Sequence, residues 1–221
     1  MAKKVTAGNG VREQNHAARA VAFIEERIRA GAYLPGERLV EADAAAASGL
    51  GIAPVREAIR FLAGEGVLDL VPYRGASIKR LKPRDMLHIM QVLEGLGSVG
   101  VKLAVRAPLG PAELKSLRES VRTMQDAANE HSTIRLVHEA SEYHRKLIEF
   151  VGNSYLAAAW DRMHLDLFHR ELSVFLVIHD WDGYVKVYRS LTQTIEQRDE
   201  KKALDIIQRH AAWLLSSLRP E

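Results

Sequence analysis

The stretch that decides the fold reads GIAPVREAIRFLAGEGVLDLVPYRG and covers residues 51–75. Pro54 suits the first turn of a helix. The apolar side chains behind it recur at helical spacing, which predicts a helix over 54–64 with one buried face, formed by Val55, Ala58, Ile59 and Leu62. Two short apolar runs predict strands over 67–71 and 76–81, joined by a hairpin tip at 72–75. A helix followed directly by a hairpin is therefore expected in the first third of the chain.

The residues before this stretch predict two more helices. Apolar residues at helical spacing favour a helix over 15–30, and an alanine-rich run favours a short helix over 41–47. Gly49 and Gly51 mark a turn before the next helix. Three helices with a glycine turn between the second and third, followed by a hairpin, predict a winged helix-turn-helix. In that motif the third helix enters the major groove of DNA, and the hairpin tip, or wing, reaches the DNA backbone or the minor groove.

After Lys82-Pro83 the pattern changes to one helix after another. The predicted helices cover residues 83–106, 110–129, 132–151, 154–178, 182–197 and 200–218. We therefore predict a mainly α fold, with an N-terminal winged helix-turn-helix followed by an all-α helical bundle. The predicted organisation is a flexible arm over 1–14, a winged domain over 15–81 and a helical domain over 82–221.

Composition excludes several classes of protein. The 221 residues are 47% apolar and 27% charged, which is typical of globular proteins, and the absence of cysteine excludes disulfides, cysteine–zinc sites and thiol catalysis. No apolar run approaches the roughly 18 residues of a membrane span, and the N-terminus lacks the apolar segment of a secretory signal. We therefore expect a soluble, cytoplasmic protein that has no contact with membranes. Residues 1–81 hold 12 basic and 9 acidic residues, whereas residues 82–221 hold 19 of each, so the excess positive charge lies in the first third of the chain.

Two arginines on the third helix are candidates for contact with DNA. Arg56 and Arg60 are four residues apart and share the face opposite the apolar stripe. Arginine can bind guanine through two hydrogen bonds or can hold a phosphate. Arg74 at the wing tip is a second kind of candidate. From spacing alone, a solvated helix face with Glu57 among the arginines is an equally good interpretation.

Several motifs in order give this chain a family resemblance. They are residues 28–41, 54–62 and 66–68, Arg74-Gly75, residues 93–96, Tyr143-His144, Gly152-Asn153 and His210. The first four motifs resemble the DNA-binding domain of GntR-family bacterial transcription regulators. The others resemble the FCD effector domain of the FadR subfamily. The resemblance implies a homodimer that binds a double-stranded DNA operator. It also implies that the helical domain forms the dimer contact and binds a small effector, which changes the affinity for DNA.

The start of the third helix departs from the family pattern. The family usually has Ser-Arg-Thr where this chain has Gly51, Ile52 and Ala53. One arginine and two hydroxyl groups are therefore missing, and the base preference should differ from the usual operators. The residues that the resemblance places at the DNA are Arg38, Gly51, Ala53, Arg56, Arg60, Arg74 and Gly75.

The effector domain departs further from its family. Many FCD domains hold a divalent metal with an Asp or Asn and three histidines, and the matching positions here are Ala140, His144, Tyr188 and His210. An arginine common in the same cavity is replaced by Met90. The resemblance thus implies an effector pocket made by Met90, Ala140, His144, Tyr188 and His210. We expect no metal or other cofactor, with His144 and His210 as the only candidate metal ligands. The expected effector is an organic acid or a more apolar metabolite.

Two other functions stay open at this point. An enzyme could use His144 and His210 as a pair of bases, with Ser141 or Tyr143 close to His144 in sequence. The chain has no nucleophile elbow, glycine-rich phosphate loop, carboxylate dyad or HExxH motif, so we predict that it is not an enzyme. A helical small-molecule-binding or interaction module with weakened DNA binding is the alternative, because Ser-Arg-Thr is missing. Trp160, Trp181 and Trp213 are expected to pack in the core or a dimer contact rather than to form a ligand box.

Overall fold

The computed structural model describes residues 7–71 and 75–217. Two compact units divide the chain, Met1–Arg80 and Leu81–Glu221. Helices dominate both units, and the mainly α fold expected from the sequence is confirmed.

The first unit contains three helices and a three-stranded sheet. Its elements are α1 (Ala7–Arg29), β1 (Arg38–Leu39), α2 (Glu41–Ser48), α3 (Ile52–Gly64), β2 (Leu68–Val71) and β3 (Gly75–Ile78). The strands are antiparallel in the order β1-β3-β2, with Arg38 opposite Ser77 and Leu70 opposite Ala76. All four stripe residues of α3 are buried, together with Ala20 and Ile24 of α1. The expected helix-turn-helix with a hairpin is therefore present.

Three details of this unit differ from expectation. Helix α1 begins at Ala7, whereas a flexible arm was expected up to residue 14. Once a helix has nucleated, each added residue contributes one hydrogen bond, and here the helix extends through two glycines. Helix α3 begins two residues before Pro54. Strand β1 was not expected, because two residues are too few to show an alternating pattern. Residues 72–74, with the expected wing tip and Arg74, lie outside the described residues.

The second unit is a bundle of helices. These are α4 (Pro83–Arg106), α5 (Pro111–Asn129), α6 (Thr133–Phe150), α7 (Ser154–Asp161), α8 (Leu165–Phe175), α9 (Trp181–Glu196) and α10 (Glu200–Ser216). Asp199 caps α10 as its position predicts, since its Oδ1 accepts a hydrogen bond from the amide of Lys202 at 3.0 Å. Gly100 allows α4 to approach α6 closely, because a Cβ there would lie 3.2 Å from Cγ1 of Ile148. In the described ranges, no helix is both long and apolar enough to cross a bilayer.

The prediction of a single helix over 154–178 is wrong. The structure has two helices, α7 and α8, and His164 between them adopts a left-handed conformation with φ of 47°. On a continuous helix Trp160 and Leu165 would point about 140° apart. The break turns both side chains into one buried cluster with Phe168 and Leu172. No glycine or proline marks the break, so the sequence offered no local signal for it.

Candidate functional site

Helix α3 shows one buried face and one exposed face. Arg56 and Arg60 lie on the exposed side, as do Ile52 and Phe61, whose exposed fractions are 49% and 55%. Gly51 is the N-cap residue, with an extended backbone and no side-chain hydrogen bond to the first turn. The N-terminal end of α3 therefore presents a small exposed residue at Ala53, an apolar one at Ile52, and amide groups without a side-chain cap.

Arg56 is held by a partner that the sequence did not reveal. Its Nε and Nη2 donate to the carboxylate of Glu41 on α2, at 3.0 Å and 2.8 Å from Oε2. These hydrogen bonds raise the pKa of the Arg56 guanidinium and lower the pKa of the Glu41 carboxyl. The pair fixes the direction of the guanidinium and leaves its Nη1 group outside the ion pair. Spacing could not predict this contact, because the two residues are 15 positions apart on different helices.

The other predicted DNA contacts are spread over the same unit. Arg60 is exposed one turn after Arg56 and is close enough to Glu41 to contribute to lowering the pKa of that carboxyl. Arg38 is exposed on β1, opposite Ser77. Gly75 opens β3 with φ of 87°, a backbone conformation that glycine adopts without strain. Gly51, Ala53, Arg56 and Arg60 thus lie on α3 or at its start, whereas Arg38 and Gly75 lie in the sheet.

A cavity of about 100 Å³ lies inside the second unit. All five residues that the sequence assigned to an effector pocket line it, namely Met90 of α4, Ala140 and His144 of α6, Tyr188 of α9 and His210 of α10. Apart from those five, its walls are mostly apolar side chains, and Trp160, Tyr184, Ser141 and Glu94 also line it. The structure therefore brings together residues separated by up to 120 positions. Sequence reasoning missed Trp160 and Tyr184, because nothing in their spacing distinguishes a cavity wall from an ordinary core.

The two cavity histidines each have a buried nitrogen without a partner. Nδ1 of His144 and Nε2 of His210 make no hydrogen bond with any described residue. Leaving a buried polar atom unpaired costs about 1–3 kcal/mol. Burial lowers the pKa of His144 to about 4, and burial together with the nearby His144 lowers that of His210 to about 3. Both imidazoles are therefore uncharged at neutral pH.

Tyr188 lies between the two imidazoles. Its ring centre is 5.6 Å from that of His144 and 5.3 Å from that of His210. Burial, together with the nearby Tyr184, holds the pKa of Tyr188 well above its usual range. Beside it, the Tyr143 hydroxyl of α6 lies 2.8 Å from Oγ1 of Thr192, which in turn donates to the Tyr188 carbonyl at 2.8 Å. This buried chain fixes the backbone that carries Tyr188.

The remaining tryptophans pack against histidines. The ring of Trp213 stacks on His210 at 5.9 Å, and Trp181 meets His131 edge-on at 5.2 Å. Both contacts agree with packing roles. Trp160 packs in a core cluster and also lines the cavity, 5.4 Å from the ring of His144.

The cavity does not fit the metal that an FCD domain implies. Of the four positions expected to hold it, Ala140 has no donor atom and Tyr188 offers a protonated phenol, which leaves two imidazoles. Divalent metals in protein sites usually take three or four ligands, with at least one carboxylate or thiolate where imidazoles are few. Nowhere in residues 7–71 and 75–217 do three His, Asp or Glu side chains come together as a metal site. The donor set therefore suits hydrogen bonding rather than metal coordination.

Comparison with known proteins gives matches for both units. The FCD domain model matches residues 88–212, and the model of the gntR family of bacterial regulatory proteins matches residues 16–78. YdhC, an HTH-type transcriptional regulator of Bacillus subtilis, is 25% identical over 193 residues, which are 85% of this chain and 84% of the relative. McbR, an HTH-type transcriptional regulator of Escherichia coli, is 28% identical over 126 residues, which are 55% of this chain and 57% of the relative. A solved structure of E. coli McbR/YncC has the same fold, with a TM-score of 0.72 at 19% identity, covering 91% of this chain and 97% of that one.

Proposed function

The chain belongs to the GntR family of bacterial regulatory proteins, with an FCD domain after its DNA-binding head, and from this premise we propose how it acts. It is a DNA-binding transcription regulator with a C-terminal effector-binding domain, and it is not an enzyme. Regulators of this family bind operator DNA and effectors, typically as dimers. We propose that α3 reads the operator and that a small molecule in the cavity of the second unit sets the affinity for it.

The observation that carries this proposal is the division of α3 into two faces. Its apolar stripe is buried, while Arg56, Arg60 and the small residues at its start face the solvent. In a helix-turn-helix the N-terminal residues of the third helix contact base edges. We propose that Arg56 and Arg60 bind bases or phosphates and that Gly51 and Ala53 allow the helix to approach the DNA closely. Contacts with the DNA backbone or the minor groove are assigned to Arg38, Arg74 and Gly75.

Assembly and cellular location follow from this role. Two copies related by a two-fold axis would read a palindromic operator whose spacing mirrors the protein's symmetry. A protein that acts on a bacterial chromosome works in the cytoplasm, which is the location that we propose. Its effector is an organic acid or a more apolar metabolite.

Salt-dependent DNA binding tests the proposal against an interaction module that no longer binds DNA. Fluorescence anisotropy with a labelled mixed-sequence duplex should give an affinity that falls steeply between 50 and 200 mM salt, because binding releases counterions from phosphates. Arg60→Ala should weaken binding by roughly tenfold. The matched control is Arg209→Ala, an exposed arginine of α10, which should bind DNA like the unaltered protein. No binding at 50 mM salt would favour the interaction module. Equal salt-dependent binding by all three proteins would show that Arg60 does not contact DNA.

A further inference from the structure

The cavity of the second unit limits the class of molecule that fits it. We infer that its occupant is an uncharged, largely apolar molecule that carries a hydroxyl group, bound to His144 and His210 without a metal. This inference rests on the proposed function only in taking this cavity as the effector site. It concerns the ligand's chemistry, which can be tested without DNA.

Charge is the first argument. Within the described part of the chain, no lysine or arginine lines the cavity, and Glu94 is its one carboxylate. An anion would therefore enter an apolar space without a countercharge and in the field of Glu94. The imidazoles do not supply the missing charge, because His144 and His210 are buried among aromatic rings and apolar side chains. An organic acid is therefore disfavoured.

The unpartnered nitrogens are the second argument. Nδ1 of His144 and Nε2 of His210 are buried without a hydrogen-bond partner in the described residues, and their rings both line the cavity. A neutral imidazole offers one donor and one acceptor. A hydroxyl group can donate or accept, so it satisfies either nitrogen whichever tautomer is present. A ligand hydroxyl group that reaches these nitrogens would therefore supply the partner that each of them lacks.

The size and walls of the cavity are the third argument. Its volume of about 100 Å³ is comparable with that of apolar cavities that take up a single aromatic ring. Trp160, Tyr184 and Tyr188 provide aromatic surfaces for such a ring. A ring or a short branched chain with a hydroxyl group therefore matches the space and the polar atoms together.

Four small probes of one shape test the inference with the full-length protein. Benzyl alcohol, toluene, benzoate and benzylamine share a ring and differ in the attached group, and dissociation constants are measured by NMR titration. Benzyl alcohol should bind at least about tenfold more tightly than benzoate or benzylamine, and more tightly than toluene. Mn²⁺ and Zn²⁺, added alone, should not bind stoichiometrically at the two imidazoles. Tighter binding of benzoate or benzylamine than of benzyl alcohol, one equivalent of metal that is lost in His144→Leu, or no binding of any probe would each overturn the inference.

Variants assign the selectivity to named side chains. Met90→Arg places a guanidinium in the cavity and should favour benzoate by about tenfold relative to the unaltered protein. Val174→Arg adds the same group at an exposed position of α8 and should leave the order of the probes unchanged. Removing both imidazoles, as His144→Leu with His210→Leu, should abolish the preference for benzyl alcohol over toluene. An unchanged preference in that double variant would contradict the role of the two nitrogens.

Binding to DNA in the same preparations separates the two claims. If the four probes do not bind in the expected order of affinity but salt-dependent DNA binding persists, the inference about the ligand is wrong and the proposed function stands. If the probe order holds and DNA binding is absent, the proposed function falls and the ligand class stands.

Discussion

At the residue scale, Ile52 is the most distinctive side chain of the DNA-binding head. It occupies the first position of α3, and 49% of its surface is exposed. The structure shows no role in folding for an exposed apolar side chain at that position. In a major groove it can contact the methyl group of thymine, whereas an arginine there would favour guanine.

We predict that Ile52→Arg changes the base preference of the protein. At the base pair that residue 52 contacts, the preference should move from thymine to guanine by about tenfold, because a guanidinium binds guanine through two hydrogen bonds. Selection of bound sequences from random DNA with both proteins measures this. Phe61→Arg is the control, since it adds the same group to an exposed position about two and a half turns later. Identical motifs for Ile52→Arg and the unaltered protein would exclude a base contact at residue 52.

The two cavity imidazoles lead to a second prediction, which concerns the stability of the folded protein at acid pH. Their pKa values of about 4 and about 3 in the folded protein lie below the usual value near 6.5. Below pH 6.5 the unfolded chain therefore takes up protons that the folded chain does not. The free energy of unfolding should fall by about 1.4 kcal/mol per pH unit for each imidazole between pH 6.5 and about 4.

Urea unfolding between pH 7.5 and 5 measures this slope. His210→Leu should remove the contribution of one imidazole, and the double variant with His144→Leu that of both. Burial also lowers the pKa of His169, but this contribution is common to all variants and does not affect their differences. An equal slope in all three proteins would show that the two imidazoles are accessible to protons in the folded state.

At the element scale, α4 has an exposed apolar stripe. Val92 and Val99 are 47% and 46% exposed, and Gly95 lies between them on the same face with open space above it. Regulators of this family typically act as dimers, and a glycine between two valines allows a second helix to approach closely. We therefore expect this stripe to meet the same stripe of a second copy.

Val99→Lys should weaken the dimer by about tenfold or more, because an unpaired ammonium group would be buried in an apolar contact. Sedimentation equilibrium of the full-length protein measures the dissociation constant. Val174→Lys, at a position of α8 that is 59% exposed, is the control and should remain dimeric. A dimer of unchanged strength in Val99→Lys would place the interface elsewhere.

The elements also show where sequence reasoning succeeds and where it stops. The buried stripe of α3 follows from local spacing, and all four of its residues are buried. The break at His164 could not be found, because only tertiary packing of Trp160 and Leu165 favours it. The pair between Arg56 and Glu41 joins two helices and has no local signal.

The cavity shows a different limit. Its five expected residues came from a family resemblance rather than from spacing, and the structure places them around one space. The substitutions Met90, Ala140 and Tyr188 were visible in the sequence. The unpartnered nitrogens of His144 and His210 were not visible in the sequence, because they depend on how the helices of the bundle pack around the cavity.

At the scale of the whole molecule, two units have separate tasks. The sequence motifs predicted a GntR-type DNA-binding head and an FCD domain, and family matches over residues 16–78 and 88–212 confirm both. A ligand in the second unit changes DNA affinity only by the difference between its affinities for the DNA-bound and the free protein. Regulation therefore requires that the DNA-bound and free proteins differ at the cavity.

Selection of bound sequences from a random DNA library by the full-length protein tests the central claim most directly. The account predicts one enriched motif with two inverted half-sites, read by α3 of two copies, and its loss in Arg56→Ala. A library without an enriched motif, or the same motif at the same strength in Arg56→Ala with its fold intact, would contradict the claim that this face of α3 reads an operator.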